Sequence, residues 1–212
     1  MWSTADIADA LEAGIACAAA SLDVEQAVMG LDARDEVELH PVLADSLHEA
    51  GYGVAREQRY PADRRKRKGS EGERCDLVLT PESRPLVESD AGETLFAAPD
   101  AVDIDEAFWL EVKVVHQYLQ EGANANYSSQ LLSTVRGDVT KLSKAEDILH
   151  AGLLIMLFVA TPMIAEHDLG IWQDKCLERS LPIAAPSVRH VELANRLGHA
   201  CCTLALYPVS HL

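Results

Sequence analysis

The spacing of apolar positions predicts that the chain begins with three helices. A helix over about residues 4–20 has a small, Ala-rich apolar face, which is typical of a helix packed closely on a neighbour. A second, short helix is predicted over residues 23–30, between an N-terminal Asp and a C-terminal Gly. The third helix is predicted up to Gly51, with Pro41 in its first turn.

Beyond this region the pattern changes to alternating or continuous apolar runs bounded by breakers, which predict strands. The order of elements predicts an α/β fold in which a mixed central sheet is flanked by helices. The predicted strands cover residues 52–60, 75–80, 108–115, 152–160 and 202–207, and the later helices cover about 126–150, 165–178 and 188–196.

The segment between the second and third strands predicts a loop insertion. Residues 81–106 contain three prolines, a glycine and most of the local acidic residues, a composition that is typical of a long surface loop. We therefore expect residues 34–212 to form the main domain, with 81–106 inserted in it. Residues 1–33 are expected to form a helical extension that packs on this domain.

Composition narrows the class of protein. The chain has 212 residues, 48% of them hydrophobic, which fits one globular domain and excludes global disorder, a collagen repeat and a disulfide scaffold. Its longest apolar run, residues 152–160, is too short to cross a bilayer, and the first residues lack the features of a secretory signal. The five cysteines include no Cys-x-x-Cys pair, which argues against a structural zinc site. We expect a cytoplasmic protein without a membrane span.

Charge is distributed unevenly along the chain. The formal net charge is -16, which opposes non-specific binding to polyanions such as nucleic acids. One short run is nevertheless strongly basic, and it predicts a local surface that contacts the phosphates of a nucleic acid. This basic run consists of Arg64, Arg65, Lys66, Arg67 and Lys68. A solvated turn between two strands is the alternative interpretation of the same run.

Three charged residues interrupt strands that are otherwise apolar. Glu111 and Lys113 lie on one face of their strand because side chains alternate, and Asp76 lies on the preceding strand. Buried charges require compensation, and a Mg²⁺ ion held by the two carboxylates would supply it. Lys113 would then orient or deprotonate an attacking water, or offset charge on a phosphate. The pattern therefore indicates phosphodiester hydrolysis.

Asp76 followed by Glu111-Val112-Lys113 on the next strand resembles the PD-(D/E)xK nuclease superfamily, over about residues 36–160. The resemblance implies a restriction-endonuclease-like core of helix–strand–strand–strand–helix–strand, and Mg²⁺- or Mn²⁺-dependent cleavage of DNA. It implies that Asp76 and Glu111 are metal ligands and that Lys113 is the catalytic lysine. Cys75 departs from the pattern, since the family has proline at this position.

The same family often adds a glutamate from the first core helix. We assign this catalytic and metal-binding role to Glu38, because Pro41 places it at the helix entrance, with Glu36 and Glu49 as competitors. Gln130, Asp138 and Lys141 lie on the following helix and could approach the site, but we interpret them as solvated residues.

Other interpretations of these residues stay open. A catalytically inactive nuclease-fold protein that binds partners, with a homodimer formed through its N-terminal helices, fits the acidic surface. A separate, purely structural interpretation is that Glu111 and Lys113 are a same-face pair on an exposed edge strand and that Asp76 is an acid near a turn. The histidines, including His40 and His48, are interpreted as surface or capping residues, because no His-Glu-x-x-His pattern is present.

Overall fold

A computed structural model describes residues 2–61, 73–87, 100–145 and 147–210. It confirms the prediction of an α/β fold with a mixed sheet flanked by helices. The helices are α1 (Thr4–Val24), α2 (Glu36–Glu49), α3 (Tyr127–Ser129), α4 (Val135–Ser143) and α5 (Pro162–Glu178). The strands are β1 (Gly53–Arg59), β2 (Arg74–Thr80), β3 (Phe108–His116), β4 (Tyr118–Leu119), β5 (Gly122–Ala123), β6 (His150–Val159), β7 (Ser187–Glu192) and β8 (Cys201–Val209).

Across these described ranges, six strands form the central sheet in the order β1-β2-β3-β6-β8-β7. Neighbouring strands are antiparallel except for β3 and β6, which run parallel and are joined by a connection that contains α4. A parallel pair needs such a crossover, whereas the antiparallel neighbours need only turns or loops. The order from α2 to β6 is therefore helix, three antiparallel strands, helix and parallel strand, with the small β4–β5 hairpin after β3.

The core has two layers, one on each face of the sheet. Helices α1 and α2 cover one face, where Leu43 packs in a cluster with Leu110. The other face carries α4 and α5, and there Trp109 lies in a cluster with Trp172. Side chains alternate along β3, so Glu111 and Lys113 share the parity of Trp109 and lie on the α4 face.

The position of α2 depends on a close approach to α1. A Cβ atom at Gly14 of α1 would lie 1.6 Å from Oγ of Ser46 on α2, so only glycine allows this contact. The Ala-rich α1 packs against its neighbour as expected from its small residues, and it also contacts β7 and β8.

Two predicted helices are wrong. Residues 23–30 do not form a second helix, because α1 continues to Val24 and only the single 3₁₀ turn Leu31–Ala33 follows. The helix predicted over 188–196 is instead strand β7, which pairs with β8 over six residues. A short helix is marginal by itself, and pairing with the edge of the sheet provides backbone hydrogen bonds that an isolated helix of this length cannot maintain.

Two further predictions are corrected in detail. The helix predicted over 126–150 is interrupted by the π-helical turn Gln130–Thr134 and ends at Ser143. Pro41 lies inside α2 rather than in its first turn, because the helix begins at Glu36, directly after the N-cap Asp35. This earlier start places the first turn of α2 beside strand β3.

The predicted insertion is described only at its two ends. Leu86 and Val102 form an isolated bridge, and the amide of Val87 donates to the carbonyl of Val102 over 2.9 Å. Residues 88–99 lie outside the described residues. No helix in the described part of the chain has the length and hydropathy needed to cross a membrane.

Candidate functional site

The site forms where β2 separates from β3. The two strands pair only from Leu77↔Leu110 to Leu79↔Phe108, whereas β3 continues along β6 as far as His116. Among the described residues, the outer edge of β3 beyond Leu110 therefore has no strand beside it. We call this region the fork.

Two carboxylates take the place of the missing strand at the fork. The amide of Val112 donates to Oδ2 of Asp76 over 2.7 Å, and the amide of Val114 donates to Oε2 of Glu36 over 3.3 Å. Backbone donors in a protein interior need acceptors, so the fork holds these two acids against β3. These hydrogen bonds from the backbone of β3 thus fix the positions of both carboxylates.

Glu36, His40 and Asp76 form a cluster at the fork. One potential ligand atom from each lies within 4.8 Å of the others. Glu36 and His40 are four residues apart on α2, so both project from the same side of the helix, while Asp76 comes from β2. The cluster therefore combines two oxygen donors with one nitrogen donor from separate elements.

His40 is the most unusual member of this cluster. It is 2% exposed, and neither ring nitrogen has a hydrogen-bond partner among the described residues. Its Nε2 lies 3.9 Å from Oδ1 of Asp76, and its Nδ1 lies 3.8 Å from Oε1 of Glu57. Burial lowers the pKa of His40, against the raising effect of Glu36 and Glu57, which favours the neutral imidazole that binds metals.

The donor set fits a divalent metal ion. Buried polar atoms in proteins are nearly always satisfied, so a buried imidazole without a partner requires an explanation. Two carboxylates and a neutral imidazole are ligands for first-row divalent metals, and the imidazole favours transition metals over Mg²⁺. The sequence predicted a site with oxygen ligands only, which suits Mg²⁺. The cluster also contains an imidazole nitrogen, and it therefore fits Mn²⁺ better than Mg²⁺.

Replacing His40 is expected to stabilise the metal-free protein. An unsatisfied buried polar group costs about 1–3 kcal/mol, and an apolar side chain of similar size removes this cost. His40→Leu should therefore raise the free energy of unfolding in the presence of a chelator by up to that amount. Urea denaturation followed by tryptophan fluorescence measures the change. A large loss of stability would contradict the absence of partners at this imidazole.

Lys113 lies between two acids of the fork. Its Nζ is 2.9 Å from Oε1 of Glu36 and 3.9 Å from Oδ2 of Asp138 on α4. Burial lowers the pKa of Lys113, but these carboxylates outweigh it and raise the pKa above its ordinary value. The side chain is therefore an ammonium group at neutral pH, suited to offsetting negative charge.

Glu111 is the most deeply buried acid of the site. Its Oε1 accepts hydrogen bonds from the hydroxyl of Tyr60 over 2.5 Å and from Nζ of Lys141 over 2.7 Å.

The pKa of Asp76 is raised to about 8 by burial and by the Glu111 carboxylate, although the hydrogen bond from the amide of Val112 lowers this pKa in part. Two adjacent carboxylates thus repel each other, and a bound cation would relieve this repulsion.

The structure brings three of the four predicted catalytic residues together. Asp76, Glu111 and Lys113 meet at the fork, but the assignment of Glu38 requires correction. Glu38 is exposed and completes a capping box, in which its Oε2 accepts from the amide of Asp35 over 3.0 Å. Glu36, which had been a competitor, lies in the cluster instead.

The geometry of the helix explains why Glu36, and not Glu38, lies in the cluster. Positions two apart on an α-helix differ by about 200° around the axis, so Glu36 and Glu38 point in different directions. Glu49, the other competitor, is exposed in the last turn of α2, away from the fork.

Sequence reasoning missed His40 and interpreted Asp138 and Lys141 as solvated. The spacing Glu36-x-x-x-His40 was the available signal for His40, since it places a carboxylate and an imidazole one helical turn apart. No comparable signal marks Lys141, whose contact with Glu111 depends on how α4 crosses the sheet. The basic run Arg64–Lys68 lies outside the described residues.

Comparison with known proteins adds no relative to this description. The chain matches no protein-family model, no curated protein and no solved structure. The assignment of a function therefore depends on the chemistry of the fork.

Proposed function

We propose that the protein is a divalent-metal-dependent nuclease that hydrolyses phosphodiester bonds in DNA. The observation that carries the proposal is the buried, unpartnered imidazole of His40 beside the carboxylates of Glu36 and Asp76. The element order around it, from α2 to β6, supports a restriction-endonuclease-like core.

Glu36, His40 and Asp76 would hold the metal ion, and Glu111 is proposed as a further donor through Oε2. Mn²⁺ suits this mixture of nitrogen and oxygen ligands, and Mg²⁺ is the second choice. A metal ion bound here supplies Lewis-acid stabilisation of a phosphate and lowers the pKa of a bound water.

Lys113 is proposed to stabilise negative charge on the scissile phosphate. Its ammonium lies 2.9 Å from Glu36, a proposed metal ligand, so a phosphate at the metal would also lie near Lys113. The two neighbouring carboxylates favour its charged form, which argues for charge stabilisation rather than proton abstraction from water.

The basic run Arg64–Lys68 is proposed to contact DNA phosphates. It comes shortly after Tyr60 in the sequence, and the hydroxyl of Tyr60 contacts Glu111. A cationic segment that follows a residue of the fork so closely in the sequence could attract a polyanion to an otherwise acidic protein.

Mn²⁺ is expected to stabilise the protein against heat. Binding at 100 times Kd contributes about 2.7 kcal/mol, which for a chain of this size raises Tm by about 5–10 °C. Glu36→Gln should abolish most of this shift, and it should abolish Mn²⁺-dependent cleavage of plasmid or single-stranded DNA. Thermal melts with Mn²⁺ and with a chelator, together with gel assays of cleavage, measure both effects.

Glu38→Gln is the matched control, two residues along the same helix. Glutamine preserves a capping box, so this variant should keep the Mn²⁺ shift and the cleavage. The nuclease proposal fails if the folded protein neither responds to Mn²⁺ nor cleaves DNA. A full Mn²⁺ shift without cleavage of any nucleic acid would favour the alternative of an inactive, partner-binding protein.

A further inference from the structure

We propose that the site binds a single divalent cation, and that the ammonium of Lys141 occupies the place that a second cation would take. This inference rests on the proposed metal site. It concerns the number of ions, which neither the fold nor the cluster around His40 determines. Two-metal phosphodiesterases hold their ions about 3.5–4 Å apart between shared acidic ligands, so the surroundings of each acid decide the question.

Lys141 is held in place by three separate contacts. Its Nζ lies 2.7 Å from Oε1 of Glu111, 3.1 Å from the carbonyl oxygen of Arg74 and 4.6 Å from the ring centroid of Tyr60. A lysine ammonium has three donors, and each of these contacts can use one of them. The group is therefore a fixed positive charge at the fork and not a mobile surface lysine.

Glu111 is the acid that a second cation would need. Its Oε1 already accepts from both Tyr60 and Lys141, and the side chain is almost fully buried. The carboxyl group of Asp76 lies within hydrogen-bonding reach of the same residue. A second cation that used Oε1 of Glu111 would thus have to displace Lys141, which already balances the charge of Glu111.

The charges at the fork match one divalent ion. Within the described residues, Lys113 pairs with Glu36 and Asp138, and Lys141 pairs with Glu111. Asp76 lies beside Glu36 and His40 in the cluster. Because carboxylate ligands bind metals in the deprotonated form, the charges are counted for the metal-bound site. Four carboxylates and two ammonium groups then leave two negative charges, which one divalent cation neutralises. A second would leave an equal excess of positive charge. The acids are Glu36, Asp76, Glu111 and Asp138, and the lysines are Lys113 and Lys141.

Glu57 does not change this balance. Its carboxylate lies 3.8 Å from Nδ1 of His40, but its side chain is 50% exposed. Water screens a charge of this exposure, whereas buried charges are screened far less. The count of ions therefore depends on the four less exposed acids and on Lys141.

Calorimetric titration with Mn²⁺, checked by native mass spectrometry, tests the inference. The wild-type protein should bind one ion, and Lys141→Gln should bind two, because glutamine can keep a hydrogen bond to Glu111 but removes the charge. Lys144→Met, which changes an exposed lysine three residues away, should bind one. Low-temperature electron paramagnetic resonance should show an isolated Mn²⁺ ion in wild type and an exchange-coupled pair in Lys141→Gln.

The outcomes separate this inference from the proposal on which it rests. Two ions in wild type would overturn the single-ion site but leave the metal site standing. One ion in Lys141→Gln, or in Lys141→Met if the first variant does not fold, would overturn the role of Lys141. A wild-type protein that binds no Mn²⁺ would overturn the metal site itself.

Discussion

Lys113→Met should lower the rate of DNA cleavage by about 10²–10³-fold, the usual loss when one group that stabilises transition-state charge is removed. The ammonium of Lys113 lies 2.9 Å from Glu36 and faces the proposed metal ligands, so it can meet charge that develops on a phosphate. Methionine preserves most of the length of the side chain. Because it carries no charge, the Glu36 carboxylate loses its ion pair with Lys113 and is free to bind the metal. The Mn²⁺-induced shift in Tm should therefore be kept or become larger.

This combination distinguishes a catalytic lysine from a structural one. A lysine that only held the fork together would lose the Mn²⁺ shift and the cleavage in parallel. Lys144→Met is the matched control, since Lys144 is exposed directly after α4. Single-turnover cleavage at saturating Mn²⁺ measures the rate, and an unchanged rate in Lys113→Met would remove this residue from the mechanism.

Asp76→Asn should abolish both Mn²⁺ binding and cleavage, yet make the metal-free protein more stable. Asn keeps an oxygen that can accept from the amide of Val112, so the backbone of the fork is preserved. It removes a carboxylate whose pKa is raised by partial burial and, second, by the adjacent Glu111 carboxylate. The variant thus separates the effect of the Asp76 carboxylate on stability from its effect on Mn²⁺ binding and cleavage.

The stability gain should depend on pH in a defined direction. The pKa of Asp76 is raised from 3.8 to about 8 in the folded protein. Between these values the folded state binds a proton that the unfolded state has released, so wild-type stability falls as pH rises from about 4 to about 8. The excess Tm of Asp76→Asn should therefore be small at pH 4 and largest at pH 8, by several degrees.

Thermal melts with a chelator across this pH range provide the measurement. Glu38→Gln, which changes an exposed acid outside the cluster, should show no such pH-dependent gain. A constant difference between Asp76→Asn and wild type at all pH values would contradict a raised pKa at Asp76. Retention of the full Mn²⁺ shift would contradict its role as a ligand.

The strongest local patterns predicted most of the elements. The alternating and apolar runs of β1, β2, β3, β6 and β8 predicted strands, because a strand presents side chains to two faces in a period of two. Short segments failed where tertiary contacts outweighed local preference. Residues 188–196 carry too few periodic positions to separate a helix from a strand, and the open edge of β8 decided for the strand.

The sequence by itself determined which charged residues require explanation. Asp76, Glu111 and Lys113 interrupt apolar strands, and the cost of burying a charge identifies them without any structure. It also determined that Glu111 and Lys113 share a face, since this follows from strand geometry alone. These inferences depend on residues close together in the chain.

Only the tertiary structure decided which other residues join them. Glu36 and Glu38 look alike in the sequence, but the N-cap at Asp35 directs Glu38 to the backbone and leaves Glu36 for the edge of β3. His40 enters the site because α2 packs beside the fork, and Lys141 enters because α4 crosses the opposite face. Such contacts join residues far apart in the chain, and their distances are set by how helices pack on the sheet, which no local pattern encodes.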